Sequence, residues 1–331
     1  ETFSYKQGQY LTLRADINGE DVRRSYSLCS GPLEQEWKVA VKKVEDGRFS
    51  TYANEVLQEG DILEVMPPAG RFFVEVDPTR QKNYVAFAAG SGITPILSII
   101  KTHLELEPKS TFQLFYINQA VSTIILKEEL EGLKNQFLDR FEIFHFLTKE
   151  MRSVPLFNGR IDQPKLEILF KTLIDSSSVD HYFICGPNAM IFLIRDFLQE
   201  KGVEAKKIHF ELFNTDGLGA AKKTKKRKAV DDTLQTEIQI REGGKDFTFS
   251  IPRGSDNILD AALKKNADLP YACKGGVCCT CRAKLVEGEV DVLVNYGLEP
   301  EEIADGYILT CQAVPTSEKV KVDFDASISK Y

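Results

Sequence analysis

Cys273-Lys274-Gly275-Gly276-Val277-Cys278-Cys279-Thr280-Cys281, with Cys311 further along, is the stretch on which the reading turns. The spacing C-x4-C-x2-C with a distant fourth cysteine predicts a [2Fe–2S] site. Thiolates are soft and anionic and suit iron. Gly275 and Gly276 let the backbone curl so that amide N–H groups aim at the sulfurs, where they help set the potential. Cys279 adjoins Cys278, and adjacent side chains do not easily reach one iron. The expected ligands are therefore Cys273, Cys278, Cys281 and Cys311. A structural zinc site would also use four cysteines, but usually as two C-x2-C pairs. A disulfide framework needs an oxidising compartment. Seven cysteines, four of them crowded between Cys273 and Cys281, point instead to metal or redox chemistry in a reducing one.

Outward from this loop the chain changes character. Upstream, Thr236–Ile240 and Phe247–Ile251 alternate around Gly243-Gly244, a hairpin signature. A short helix from Ile258 and a strand at Val320–Phe324 complete a small α+β domain over 233–331. Residues 217–232 lose periodicity and become Gly-, Ala- and Lys-rich, as a tether does. Its run Lys222–Lys228 is a solvated linker, with a nuclear address or a phosphate patch as the alternatives. Over 81–216 strands alternate with helices, which predicts a parallel sheet covered on both faces. The strands are Tyr84–Ala88, Phe112–Tyr116, Phe141–Phe144 and His181–Ile184, and the helices start at Pro95, Leu166 and Ala189. Over 1–80 short strands at Gln9–Leu13, Val39–Val41 and Asp61–Val65, bounded by Gly and Pro, suggest a β-barrel.

Bulk properties narrow the function. At 331 residues two or three domains are expected. A net charge of −7 argues against nucleic-acid binding. No apolar run approaches the roughly 18 residues that span a bilayer, and no export signal opens the sequence, so a cytoplasmic protein without membrane attachment is expected. From Thr236 onward sixteen acidic residues face eleven basic ones, net −5, which suits an electropositive partner.

Three more segments carry chemistry. In Arg24-Ser25-Tyr26-Ser27 an arginine can pair with phosphate, a tyrosine can stack on a flat ring, and a serine can hydrogen-bond it. Gly90-Ser91-Gly92-Ile93-Thr94-Pro95 follows a strand and opens a helix, so its backbone donors would face a dinucleotide phosphate. It is not G-x-G-x-x-G. Cys185-Gly186-Pro187-Asn188-Ala189-Met190 ends another strand. There Cys185 is either a site residue or a buried small hydrophobe, and Cys29 is read as core.

Taken together these segments resemble the ferredoxin–NADP reductase superfamily with a fused plant-type ferredoxin domain of β-grasp fold. The motifs concerned are R-x-Y-S, G-x-G-I/V-T-P and C-G-P-x-x-M, joined by Pro270–Arg282 and Leu309–Ala313 around the cysteines. The resemblance implies a multidomain protein: a β-barrel flavin domain, an α/β nicotinamide domain and an α+β ferredoxin domain. It implies FAD held by Arg24, Tyr26, Ser27, the loop Gly47, Ser50 and Thr51, and Phe213. It implies NADP at Gly90, Gly92, Thr94, Pro95, Cys185, Gly186 and Pro187, with Ser27, Cys185 and Glu211 catalytic. Glu211 and Phe213 are otherwise ordinary strand residues. A hydride would pass from NAD(P)H to flavin, and single electrons through the cluster to a protein acceptor.

Asn158–Asp162, Leu285–Val290 and Asn295–Glu302 resemble the reductases that serve ring-epoxidising phenylacetyl-CoA oxygenases. An oxygenase partner is therefore expected. The alternatives are a non-oxygenase acceptor, or a carrier with an inactive reductase half, against which the intact motifs argue. Family flavin domains carry strands ahead of Gln9-Tyr10 that this sequence lacks, so a shortened chain is expected. Family members that select NADPH grip its 2′-phosphate after a strand, commonly with Ser-Arg. Thr148 and Lys149 stand there, followed by Glu150, and Asn118-Gln119 replaces a frequent Asn-Arg. A carboxylate facing the ribose would favour NADH, and a lysine is a less specific grip than arginine. A moderate NADPH preference is the expectation, with solvated loop residues as the alternative.

Overall fold

In the computed structural model residues 4–213 and 233–326 are described. The chain divides into two compact units after Phe213. The expected tether 217–232 and its basic run lie outside the described residues.

The first unit opens with β1 (Tyr10–Ile17) and β2 (Glu20–Ser27), joined at Asn18-Gly19 and paired antiparallel along their full length. Helix α1 (Arg48–Glu55) follows, then β3 (Glu64–Val65) on the other edge of β1. Leu11, Leu13, Val22, Leu28 and Phe49 form the core between this sheet and α1. Two expected strands shrink. Of Asp61–Val65 only Glu64 and Val65 pair, with Ile62 95% exposed. Pro67-Pro68 then interrupt the ladder, because proline has no N–H to donate, and pairing resumes as a single Tyr10–Ala69 bridge. Val39–Val41 supplies only a Leu28–Val39 bridge. The expected barrel is thus represented, among the described residues, by a three-stranded ladder extended by bridges.

The same unit continues with the alternating β–α run. It comprises β4 (Asn83–Ala89), α2 (Ile93–Leu106), β5 (Thr111–Asn118), α3 (Lys127–Gln136) and β6 (Phe141–Leu147). Then come α4 (Gln163–Thr172), β7 (His181–Gly186), α5 (Asn188–Glu200) and β8 (Ile208–Leu212). The strands are all parallel in the order β6-β5-β4-β7-β8. Strand order therefore reverses between β4 and β7, and the crevice beyond their C-terminal ends is where such sheets receive ligands. Pro95 is the third residue of α2, still within the turn that has no use for its missing N–H.

Helix α2 is buried almost all round because it packs on the sheet and also on the β1–β2 part of the unit. Ser98 Oγ donates to the Ser30 carbonyl at 2.6 Å. The Phe72 and Phe183 rings meet edge-on at 5.6 Å. Glu107, fully buried at the end of α2, accepts from the Asp77 N–H and the Tyr84 hydroxyl and pairs with His103. Burial alone would push its carboxyl up. The bonds from His103, Asp77 and Tyr84 outweigh burial and hold it at about 2.

The second unit contains β9 (Gln235–Glu242), β10 (Lys245–Pro252), α6 (Ile258–Leu263), β11 (Arg282–Glu287) and β12 (Val290–Val292). After them come α7 (Pro300–Ala304), β13 (Tyr307–Leu309), β14 (Ala313–Pro315) and β15 (Lys319–Asp323). The main sheet runs β10-β9-β15-β11-β13, with β15 parallel to β9 and the other pairs antiparallel, and β12 pairs with β14. The predicted hairpin turns at Gly243-Gly244, whose N–H groups bind the Asp325 carboxylate. Helix α6 packs on this sheet over Ile238, Ile240, Val320 and Val322.

Candidate functional site

Three distant segments meet at the C-terminal edge of the parallel sheet. Ser27 ends β2 and donates its hydroxyl to Glu211 Oε2 on β8 at 3.1 Å. Glu211 stands opposite Cys185 in the β7–β8 register, and Cys185 stands opposite Ala88 on β4. Part of the Glu211 residue stays accessible, yet its carboxyl group lies deep among protein atoms. Burial pushes that carboxyl up to about 8, against the opposing effect of the Ser27 hydrogen bond. Burial also pushes the Cys185 thiol well above its ordinary value, and Glu211 adds to this. Cys185 is fully buried, and burial and Glu211 both disfavour its thiolate.

The glycine loop closes on the same point. Gly90–Gly92 form one tight turn before α2. A Cβ on Gly92 would stand 2.2 Å from the Cys185 carbonyl oxygen, so only glycine lets the two motifs touch. Thr94 Oγ1 donates to the Ser91 carbonyl at 3.0 Å, and Pro95 is buried beside it. Pro187 caps α5 just after Gly186, so two helix N-termini flank the crevice. Tyr116, which the motifs did not single out, donates its hydroxyl to the Gly90 carbonyl at 3.0 Å. The available signal was a tyrosine within an otherwise apolar buried strand.

Beside Ser27 lies a surface suited to a flat ring and phosphates. Tyr26 packs against Phe49 at 5.6 Å, and Phe213 is 40% exposed. The Arg24 guanidinium is exposed, donates to the Arg23 carbonyl and carries no ion pair among the described residues. Gly47 precedes α1 as a cap without a side chain, so first-turn N–H groups of that helix lack a side-chain acceptor. Uncapped N–H groups beside a free arginine fit a dinucleotide phosphate. Ser50 is buried and its hydroxyl is committed to the turn, bonding the Val44 N–H and the Gly47 carbonyl. Thr51 donates its N–H to the Gly47 carbonyl.

At the far side of the sheet, the Thr148 N–H donates to the Asn118 carbonyl and that of Lys149 to the Gln119 carbonyl. Lys149 is exposed and its ammonium has no ion pair among the described residues. The Glu150 carboxylate accepts the Val121 N–H at 3.1 Å.

In the second unit Cys273, Cys278, Cys281 and Cys311 come together, and none of the seven cysteines is in a disulfide. The Cys273 N–H points at Cys278 Sγ at 3.5 Å, which sets these two side by side. The N–H groups of Gly275 and Cys278 point at Cys273 Sγ, at 3.3 and 3.4 Å, and that of Gly276 at Cys311. Gly276 has φ +76°, and a Cβ there would meet the Val294 carbonyl at 2.9 Å. Four thiols with amide donors directed at their sulfurs fit a two-iron cluster. Cys279, at φ +57°, turns its sulfur toward the Val277 carbonyl and Gly297.

A parallel sheet with a dinucleotide crevice, a ring-and-phosphate surface against it and a four-thiol loop in a separate unit define a pyridine-nucleotide-dependent flavin and iron–sulfur oxidoreductase. Comparisons with known proteins agree. Residues 1–74 match the oxidoreductase FAD-binding domain, 87–196 the oxidoreductase NAD-binding domain and 240–316 the 2Fe-2S iron-sulfur cluster binding domain. The chain is 44% identical to a component of the 1,2-phenylacetyl-CoA epoxidase of Escherichia coli (strain K12), covering 98% of this chain and 90% of that protein. It is 31% identical to the ferredoxin reductase component of 3-ketosteroid-9-alpha-monooxygenase from Rhodococcus rhodochrous, over 98% and 89%. The structure of phthalate dioxygenase reductase superposes with a TM-score of 0.58 at 25% identity, over 97% of this chain and 88% of that one. The chain belongs to the family of three-domain reductase components, FAD-binding, NAD-binding and [2Fe–2S], that includes these proteins. It is an NAD(P)H-dependent oxidoreductase, and no helix among the described residues is long and apolar enough to cross a membrane.

Glu211 gives the site a pH signature. Its folded-state pKa is raised, so the stability its proton confers is complete below about 4.5 and is lost as pH rises through about 8. Glu211→Gln removes that titration. Thermal unfolding between pH 5.5 and 8.5 should show the unaltered protein losing several degrees relative to the variant as pH rises. Parallel curves for the two proteins would refute the assignment.

Proposed function

We propose that this chain is the reductase component of an oxygenase of the phenylacetyl-CoA-epoxidising kind, drawing on NADPH in the cytoplasm. The observation that carries this reading is the Ser27–Glu211 hydrogen bond beside Cys185, which joins residues 184 positions apart where two cofactor surfaces adjoin. The oxygenase partner is supported by the 44% identity to the epoxidase component. The cytoplasm is supported by seven cysteines without a disulfide. When bound, NADPH would supply a hydride, FAD would take up its two electrons and give them up one at a time with release of the proton, and the [2Fe–2S] cluster would relay them.

The residues have separate tasks in this reading. Arg24, the backbone of Gly47 and Ser50 and the Thr51 hydroxyl bind the FAD phosphates, while Tyr26 and Phe213 cover its ring. Gly90, Gly92, Thr94, Pro95, Gly186 and Pro187 form the cradle for the nicotinamide dinucleotide. Cys185 supports the nicotinamide ring with a neutral surface. Glu211 keeps its own proton at the transfer point and accepts the Ser27 hydroxyl. The flavin and nicotinamide domains divide near residue 80.

Cys273, Cys278, Cys281 and Cys311 hold the cluster, and Cys279 does not, because its sulfur turns toward Val277 and Gly297. Purified protein should contain about two irons per chain. Cys278→Ser should lose or destabilise the cluster and Cys279→Ser should keep it. The opposite iron contents would reverse the ligand assignment.

NADPH preference rests on Thr148 and Lys149. The Lys149 ammonium is exposed and unpaired among the described residues, and Glu150 is engaged by the Val121 N–H. Lys149→Ala should raise the KM for NADPH about threefold to fivefold, the size of a ~1 kcal/mol exposed charge contact, and leave that for NADH nearly unchanged. A higher kcat/KM with NADH in the unaltered protein, or equal weakening of both cofactors, would overturn the assignment.

A further inference from the structure

Gln312 follows Cys311, and its side chain lies across the cysteine loop. Its Nε2 donates to the Lys274 carbonyl at 3.0 Å and lies 3.8 Å from Cys311 Sγ. Its Cγ would be 3.1 Å from a Cβ on Gly276, so the side chain rests on the bare face of that glycine. Its backbone is fixed at both ends: the N–H donates to the Leu309 carbonyl and the carbonyl accepts the Leu293 N–H, each at 2.9 Å.

An amide so held does two things. It ties down the carbonyl of Lys274, a residue at φ +50°, and so fixes the turn that directs the Gly275 and Gly276 N–H groups at sulfur. It also presents its own N–H to the Cys311 sulfur. A donor at a cluster sulfur stabilises the reduced state more, because reduction adds negative charge to the sulfurs, and the potential rises.

We propose that Gln312 is a positioning residue that sets the cluster's donor ring and raises its reduction potential through the side-chain amide. The inference rests on the cluster ligands proposed above. In the full-length protein, Gln312→Met keeps the length of the side chain and removes the donor, and Gln312→Glu replaces the donor by a carboxylate. Both should retain about two irons per chain. Midpoint potentials from EPR-monitored redox titration should fall in the order unaltered, Met, Glu. The Met variant should lose about tenfold in the reduction equilibrium, which for one electron is about 59 mV. An unchanged potential at full iron content overturns the proposal. If the variants fail to hold iron, the unaltered protein labelled with 15N in glutamine side-chain amides decides. Pulsed EPR of the reduced cluster should then show a 15N coupling, and none would overturn the proposal. An unaltered protein without iron or a [2Fe–2S] spectrum would instead remove the ligand assignment on which the proposal stands.

Discussion

The hydrogen bond from Ser27 to Glu211 is the constraint on which the first unit depends. It ties the end of the antiparallel β1–β2 ladder to β8, the edge strand of the parallel sheet, which pairs with β7. A two-electron hydride needs donor and acceptor rings in contact, so the relative position of these two parts is set more tightly than either part alone requires. Other contacts serve the same alignment: Ser98 on Ser30, the Phe72–Phe183 edge contact and the buried Glu107 holding the Asp77 N–H. Glu107 can stay ionised there only because His103, Asp77 and Tyr84 together offset its burial. Glu211 lacks such help, with one hydroxyl donor, and keeps its proton.

The second unit solves a different problem. A cluster relays one electron at a time and needs a fixed set of sulfurs and donors, with no pocket for a substrate. The chain builds this from backbone bent into left-handed turns at Lys274, Gly276 and Cys279, which turn successive N–H groups inward. The loop Asn295–Leu298 packs over it, with the Tyr296 N–H on the Gly276 carbonyl and Cys279 against Gly297.

Much of this was legible in the sequence, for reasons that differ by region. The α/β run was readable because β4, β5 and β7 are largely buried and carry apolar runs, Tyr84–Ala89, Leu114–Ile117 and Tyr182–Cys185, that end at Gly90, Asn118 and Gly186. The cysteine loop was readable because iron ligation fixes spacing. The β1–β3 region was harder: Ile62 looks like a strand residue by type, yet it is almost wholly exposed and pairing starts only at Glu64. Ser50 was singled out as a phosphate ligand, and its hydroxyl proves to be bound within its own turn. Tyr116 carried no motif and Gln312 lay in one without a role, because a residue that orients another residue's carbonyl leaves only its own position as a trace. The proximity of Ser27 to Glu211 was written in no local pattern, since it arises from packing between domains.

The central claim is that one chain carries a two-electron flavin site and a one-electron cluster fed by a single nicotinamide site. Anaerobic titration of the purified protein with NADPH, followed in the visible spectrum and by EPR, counts the electrons directly. The account predicts three electrons per chain, or about one and a half NADPH equivalents, with flavin bleaching and a reduced-cluster EPR signal reaching one spin per chain. Saturation at one equivalent with no reduced-cluster signal would contradict it.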